Sequence, residues 1–318
     1  MGRHRARNAA LAAAAIGSGG VAARSARLLW RRRGLNWSPP ERYVQDAYLS
    51  CQTMGLGNQP VLLLHSLDGS ANYFGAAFDE LADPGPLLVP DLLGFGRSPA
   101  SDHGYSPEEH VVALLRMLDE LKVETPALVV GHSLGAVLAL KMASQNPERV
   151  SAVVALGAPI HRDSTMARSR LRQLGAGSRL GRGLSRAVPG RLRTGAGLPR
   201  LLAGSVHLDL PLSVAGDRVA ARAANAYEES LQKCLVEANV VAWFATISCP
   251  VELVVPAHDA TVDVELLREL SDRYQNVTVT LLPFGDERLP LTHPDGCLAA
   301  IDRFRASRLV TARVGPSR

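Results

Sequence analysis

From Gly57 onward, short continuous apolar runs alternate with longer stretches of helical periodicity. This predicts an α/β fold, a mostly parallel β-sheet flanked by helices on both faces. The strand candidates are Pro60 to His65 (PVLLLH), Pro86 to Asp91 (PLLVPD), Ala127 to Gly131 (ALVVG), Val150 to Leu156, Val251 to Val255 and Val277 to Leu282. Their apolarity is continuous rather than alternating, as strands covered on both faces require. Pro107 to Leu121 predicts a helix with Ser106 as its N-cap and Glu108 and Glu109 in the first turn, where carboxylates suit the helix dipole. Leu134 to Gln145 predicts a second, stopped by Asn146-Pro147.

The rhythm breaks between His161 and Trp243. That interval holds Gly/Arg-rich turns, scattered Leu and one good helical stretch, Arg218 to Glu237, with no strand-like run. It reads as a helical cap or lid over the carboxyl ends of the strands, where open α/β sheets bind ligands. The expected organisation is a basic, Ala/Arg-rich and poorly ordered leader over 1–40, a core formed by 41–160 and 245–310, a helical cap over 161–244, and a tail over 311–318.

Charge changes this picture in one respect. The formal net charge is +5, yet residues 1–33 carry eight arginines and no acid, and residues 161–200 carry ten arginines against Asp163 alone. The remainder therefore carries −12, so the core is acidic and the basicity is local. Aromatics are only 5% of the 318 residues, too few to interleave with these patches as stacking platforms, which argues against nucleic-acid binding. No stretch approaches 18 consecutive strongly apolar residues, which excludes a bundle of spanning helices.

The leader imitates a signal peptide only loosely, because alanine and glycine make a poor apolar segment. Arg24 to Arg33, around Leu28, Leu29 and Trp30, would allow weak membrane-surface contact. A cytoplasmic location is expected, with membrane association or export through the leader as the alternatives. Cys51, Cys234, Cys249 and Cys297 lack C-x-x-C spacing and indicate neither zinc nor a disulfide framework. The histidines show no metal-ligand spacing, so no metal or cofactor is expected.

The chemistry concentrates at Gly131-His132-Ser133-Leu134-Gly135, between a β-branched run and an amphipathic helix. A serine there is forced onto a sharp strand-to-helix turn, and any side chain two residues to either side would collide with that turn. The structural alternative is a loop serine between glycines. With these residues the chain resembles the α/β-hydrolase superfamily, over about Pro60 to Phe304. The resemblance implies that Ser133 is the nucleophile of an acyl-enzyme mechanism. Serine rather than aspartate at this position separates it from the dehalogenase and epoxide-hydrolase members.

Further segments match family positions. Asp91-Leu92-Leu93-Gly94-Phe95-Gly96-Arg97-Ser98 is similar to the D-x-x-G-x-G-x-S loop, read as structural for Asp91 and Arg97. His65-Ser66-Leu67-Asp68-Gly69 corresponds to the H-G-x-x-G turn, implying oxyanion donors from the backbone N–H groups of Leu67, Ser66 and Leu134. Ser66 stands where the family usually has glycine, and would be strained by about 1 kcal/mol if the position needs a positive φ. Asp259 matches the acid, with Asp263 as runner-up. His65 and His258 are expected to be hydrogen-bonded groups at strand ends.

The base breaks the pattern. Phe284 to Pro294 resembles G-x-H-x-L-P-L-x-H-P, with Glu287 where the family carries its catalytic histidine. His293 is one candidate base, of the right type but further along the chain. Glu287 is a second, weaker by about two pKa units or roughly 3 kcal/mol in proton affinity, and facing Asp259 as a like charge. Loss of catalysis is a third reading, and a base from elsewhere a fourth. His132 is a poor substitute, since neighbours on a strand point to opposite faces. The expected activity is hydrolysis of an ester, thioester or activated C–C bond in a small apolar or anionic molecule. The alternative is a non-catalytic binding protein on the same scaffold. Oligomeric state is left open.

Overall fold

A computed structural model describes residues 35–67, 69–171, 210, 211, 214 and 224–313. The expected leader up to residue 34, with its membrane-surface contact, and most of the expected cap lie outside the described residues.

Eight strands form one sheet in the order β1-β2-β4-β3-β5-β6-β7-β8. They are β1 (Tyr43–Asp46), β2 (Ser50–Met54), β3 (Val61–Leu64), β4 (Leu87–Pro90), β5 (Ala127–His132), β6 (Val150–Leu156), β7 (Val251–Pro256) and β8 (Val277–Leu282). From β4 to β8 all neighbours are parallel, while β1 and β2 pair antiparallel with each other and β2 with β4. All six strands expected from apolar runs are present. The β1–β2 hairpin was not foreseen: β1 is exposed throughout and β2 buries only alternate residues, so neither carries a continuous apolar run.

Side-chain alternation splits the core in two. Leu62, Leu64, Val129, Val153 and Leu253 pack on one face with helices α1 (Pro107–Glu120) and α2 (Leu134–Gln145). Val61, Leu63, Val130, Val154 and Val254 pack on the other with Phe74, Phe78, Leu298 and Ile301. At about 25 cal/mol per Å² of apolar surface, full burial of each such side chain is worth roughly 1.5–3 kcal/mol. The Ser106 hydroxyl accepts from Glu109 N at 3.2 Å, capping α1 as expected.

Of the expected helix Arg218 to Glu237, the described part is α3 (Ala224–Ser230), which continues as a π-helical turn over Leu231–Val236. There follow α4 (Val240–Trp243), α5 (Val264–Arg273), α6 (Leu289–Thr292) and α7 (Pro294–Arg313). Two boundaries differ from expectation. Helix α7 runs into the segment expected to be a tail. Residues 35–40, assigned to the leader by composition, pack on the core: Asn36 N donates to Leu291 O at 2.8 Å, and Trp37 Nε1 to Asn72 O at 3.1 Å. All four cysteines are buried, and none is in a disulfide.

Three histidines are fully enclosed. Burial pushes His65 down to about 4, and His110 and His132 to about 3. Each stays neutral in the folded chain at pH values where the unfolded chain has already taken up a proton. Their contribution is therefore complete above the ordinary histidine value near 6.5 and is lost as pH falls toward 3–4, at about 1.4 kcal/mol per histidine per pH unit. Urea midpoints should drop steadily from pH 7 through 6 to 5; equal midpoints would contradict this burial.

Candidate functional site

Strand β5 ends at His132 and α2 begins at Leu134, so Ser133 alone makes the turn. Its backbone sits at φ +52°, ψ −111°, a conformation that costs a non-glycine residue about 1–3 kcal/mol. The surroundings hold it there. Ser133 N donates to Leu156 O at 3.0 Å, and Ser133 O accepts from Ala136 N and Val137 N at 3.0 and 3.2 Å. A Cβ on Gly131 would lie 2.2 Å from Gly135 O, and one on Gly135 would lie 2.0 Å from Leu64 O. Both glycines are thus demanded by the close approach of α2 to β3 and β5, as the sequence implied. Ser133 is half-buried.

The three oxyanion candidates come from this turn and the one after β3, which lie side by side because β3 and β5 are neighbours with Leu64 opposite Gly131. Leu134 is the first helical residue, and its N–H has no carbonyl one turn earlier to bind. Ser66 and Leu67 are buried in the turn after β3, where Gly69 N donates to Ser66 O at 2.9 Å. Ser66 does not have a positive φ; among the described non-glycine residues only Lys122 and Ser133 do. The strain expected from a serine in place of glycine is therefore absent. Asp68 lies outside the described residues.

The His65 ring fixes this turn. Its Nε2 accepts from Leu92 N at 3.0 Å, which leaves Nδ1–H to donate to Ser66 O at 2.8 Å. It is the hydrogen-bonded strand-end group that was expected. His258 is not: its ring is exposed, and its backbone N–H is what bonds Gly285 O, at 3.0 Å. Asp91 is structural, accepting from Ala71 N at 2.7 Å and Arg97 N at 2.8 Å. Gly96, at φ +51°, leaves room for that carboxylate, which would lie 2.2 Å from a Cβ. Arg97 contributes its backbone and leaves its side chain exposed.

Asp259 follows β7 and is buried. Its Oδ1 accepts from Thr261 N at 2.9 Å and Thr261 Oγ1 at 2.6 Å, and its Oδ2 faces Gly157 beyond β6. Burial raises its pKa above the ordinary carboxylate range, the Thr261 bonds oppose this, and the charges of Glu287 and Asp286 add to the rise. Asp263 is committed elsewhere, capping α5 through Leu266 N at 3.3 Å and pairing with Arg170 at 3.3 Å.

Glu287 is half-buried in the loop after β8. That loop is tied to the Asp259 loop by Ala257 N to Phe284 O at 3.1 Å and His258 N to Gly285 O at 3.0 Å. The neighbouring Arg288 pairs with Asp286 at 2.9 Å. His293 sits apart: exposed, stacked on Phe284 at 4.9 Å, with Nδ1 2.9 Å from Thr292 Oγ1. His132 buries its ring in the core, stacked on Tyr73 at 5.4 Å. Among the described residues no imidazole bonds the Ser133 hydroxyl. His65, His110 and His293 bond elsewhere, His132 and His161 make no ring hydrogen bond, and His103 and His258 are exposed. No three His, Cys, Asp or Glu side chains among the described residues converge as metal ligands would. No described helix is long and apolar enough to cross a membrane.

Residues 59–188 match the family model described as alpha/beta hydrolase fold. The chain also superposes on E-2-(acetamidomethylene)succinate hydrolase with a TM-score of 0.66 at 18% identity, covering 84% of this chain and 100% of that one. The chain is an α/β-hydrolase-fold protein. Sequence relatives of this α/β-hydrolase-fold protein are diverse. It is 37% identical over 83 residues to lipase LipV of Mycobacterium tuberculosis, covering 26% of this chain and 31% of that protein. It is 32% identical over 119 residues to an epoxide hydrolase of Caballeronia sordidicola, covering 36% of each. The chain spans about a third of the length of the curated relatives it matches. As an α/β-hydrolase-fold protein it places the loops after β3, β5, β7 and β8 at one end of the sheet, and these carry Leu67, Ser133, Asp259 and Glu287 respectively.

Proposed function

We propose that this chain is a serine hydrolase acting on an ester, thioester or activated C–C bond of a small apolar or anionic molecule. Ser133 is the nucleophile, Asp259 the acid, and Glu287 occupies the base position. The observation that carries this reading is the strained Ser133 turn, held at φ +52° between two glycines that no larger residue could replace. In this mechanism Ser133 Oγ adds to the carbonyl carbon while its proton passes to the Glu287 carboxylate. The negative oxygen is met by the N–H groups of Leu134 and of Leu67 or Ser66, and collapse expels the leaving group, which takes the proton back. Water then repeats the sequence on the acyl-enzyme. The placement of His293 on Phe284 supports Glu287 over His293 as base.

A carboxylate near pKa 4.3 gives up about 3 kcal/mol of proton affinity against an imidazole near 6.5, so turnover is slow. The second reading, a non-catalytic binding protein on the same scaffold, is favoured by the lack of any described imidazole on Ser133. A fluorophosphonate probe separates the two, because it needs only an activated hydroxyl. Labelling of the full chain within minutes, lost in Ser133→Ala, supports the hydrolase. A chain that stays unlabelled over hours is a binding protein.

A further inference from the structure

Strand β7 reads V-E-L-V-V-P and is buried along its whole length, so Glu252 is a carboxylate inside a parallel sheet. It is 7% exposed. Burying such a charge is costly unless cations or several donors surround it. Glu252 lies opposite Thr278 of β8, whose hydroxyl it contacts. That hydroxyl also lies 3.3 Å from Val251 O, and its one proton serves one acceptor at a time. A carboxylate with about four acceptor sites thus has at most one donor among the described side chains.

The same carboxylate lines a cavity of about 590 Å³ between α7 and the β7–β8 surface. Arg303, on α7, lines it too. The guanidinium is exposed and makes no ion pair with Glu252 or with any other described residue. Gln275 and Thr280 add polar groups and Phe304 an apolar wall, whereas Asn276 is spent on Ile247 O and Cys249 O at 3.0 and 2.8 Å. Glu252 stands four residues before the end of β7, about 13 Å from the end that leads to Asp259. The cavity therefore belongs to the opposite end of the sheet from Ser133.

We propose that this cavity is a second ligand site that takes a small zwitterion of amino-acid size, its ammonium on Glu252 and its carboxylate on Arg303. The volume suits a small metabolite. Cation and anion recognition sit on different elements and do not neutralise each other, so a ligand carrying both charges completes both. The inference does not depend on the chemistry at Ser133.

The test is thermal denaturation and calorimetric titration of the full chain with L-leucine, L-glutamate and L-lysine, alongside their N-acetyl and C-terminal amide derivatives. A free amino acid at ten times its dissociation constant should raise the melting temperature by about 3 °C. N-acetylation, which removes the ammonium, and amidation, which removes the carboxylate, should each abolish the effect. E252Q and R303Q should each abolish it as well, with fluorophosphonate labelling of Ser133 unchanged. Arg303 is exposed, so R303Q carries the test even if E252Q fails to fold. The proposal is overturned if none of the three amino acids gives heat or a shift, if a blocked derivative binds as well as the free one, or if R303Q retains the full response.

Discussion

Glu287→His is expected to raise kcat/KM for a simple p-nitrophenyl ester by a factor of at least 100. A positioned general base contributes about 10²–10⁴ to such reactions, and imidazole brings about two pKa units more basicity than carboxylate. The scaffold for it is present. The loop carrying residue 287 is hydrogen-bonded to the loop carrying Asp259, and the two side chains already feel each other's charge. With Oδ1 of Asp259 held by Thr261, Oδ2 remains to accept the Nδ1–H of an introduced imidazole. The substitution also removes a like charge that now raises the Asp259 pKa, so Asp259 would ionise more readily and orient the ring. Steady-state kinetics on wild type, E287H and the E287H/S133A double variant read the result. The gain must vanish in the double variant, and an unchanged rate in E287H would mean that position 287 does not face the serine.

Gly135→Ala is expected to be the most damaging single-methyl change in the core. Ala is favoured over Gly in a helix by about 1 kcal/mol, and α2 is a regular helix at this point. Sterics decide the sign. The new Cβ would sit 2.0 Å from Leu64 O and 2.8 Å from Leu64 Cβ, and Leu64 is in β3, at the middle of the sheet. Neither a rotamer change nor a flexible side-chain tip relieves a contact with backbone, so α2 must move off the sheet and loosen the packing of its own Leu134, Val137 and Leu138 against the core. A net loss of about 3 kcal/mol or more follows, corresponding to roughly 6–12 °C in melting temperature for a domain of this size. Calorimetry on the purified variant measures it; a melting temperature within 1–2 °C of wild type would mean the elbow is looser than these contacts imply.

The parallel strands β3 to β6 were legible because they are buried almost throughout and so read as near-continuous apolar runs. The β1–β2 hairpin was not, because the exposed Tyr43–Asp46 owes its place to pairing with β2 rather than to burial. The Ser133 turn was legible because its steric demand falls on glycine, a residue type visible in one dimension. The role of His65 was also readable, as a ring at a strand end with backbone partners in reach. Ser66 misled, because identity alone does not reveal φ, and the turn after β3 accommodates a side chain there. His293 was a candidate by residue type, but its orientation is set by Phe284 and Thr292, which no spacing rule encodes. The setting of Glu252 is not legible within an otherwise apolar run, because a strand's sequence does not show where a cavity opens beside it.

The posture of Ser133 has a wider consequence. No local preference of serine favours a left-handed backbone; the conformation is imposed by Leu156 on one neighbouring strand and by the crowding of Leu64 on the other. The posture therefore exists only once three strands and a helix have assembled, and a fragment or a partly folded chain would carry the same five residues without it. The backbone at this one serine is in effect a gauge of cooperative order across the middle of the molecule.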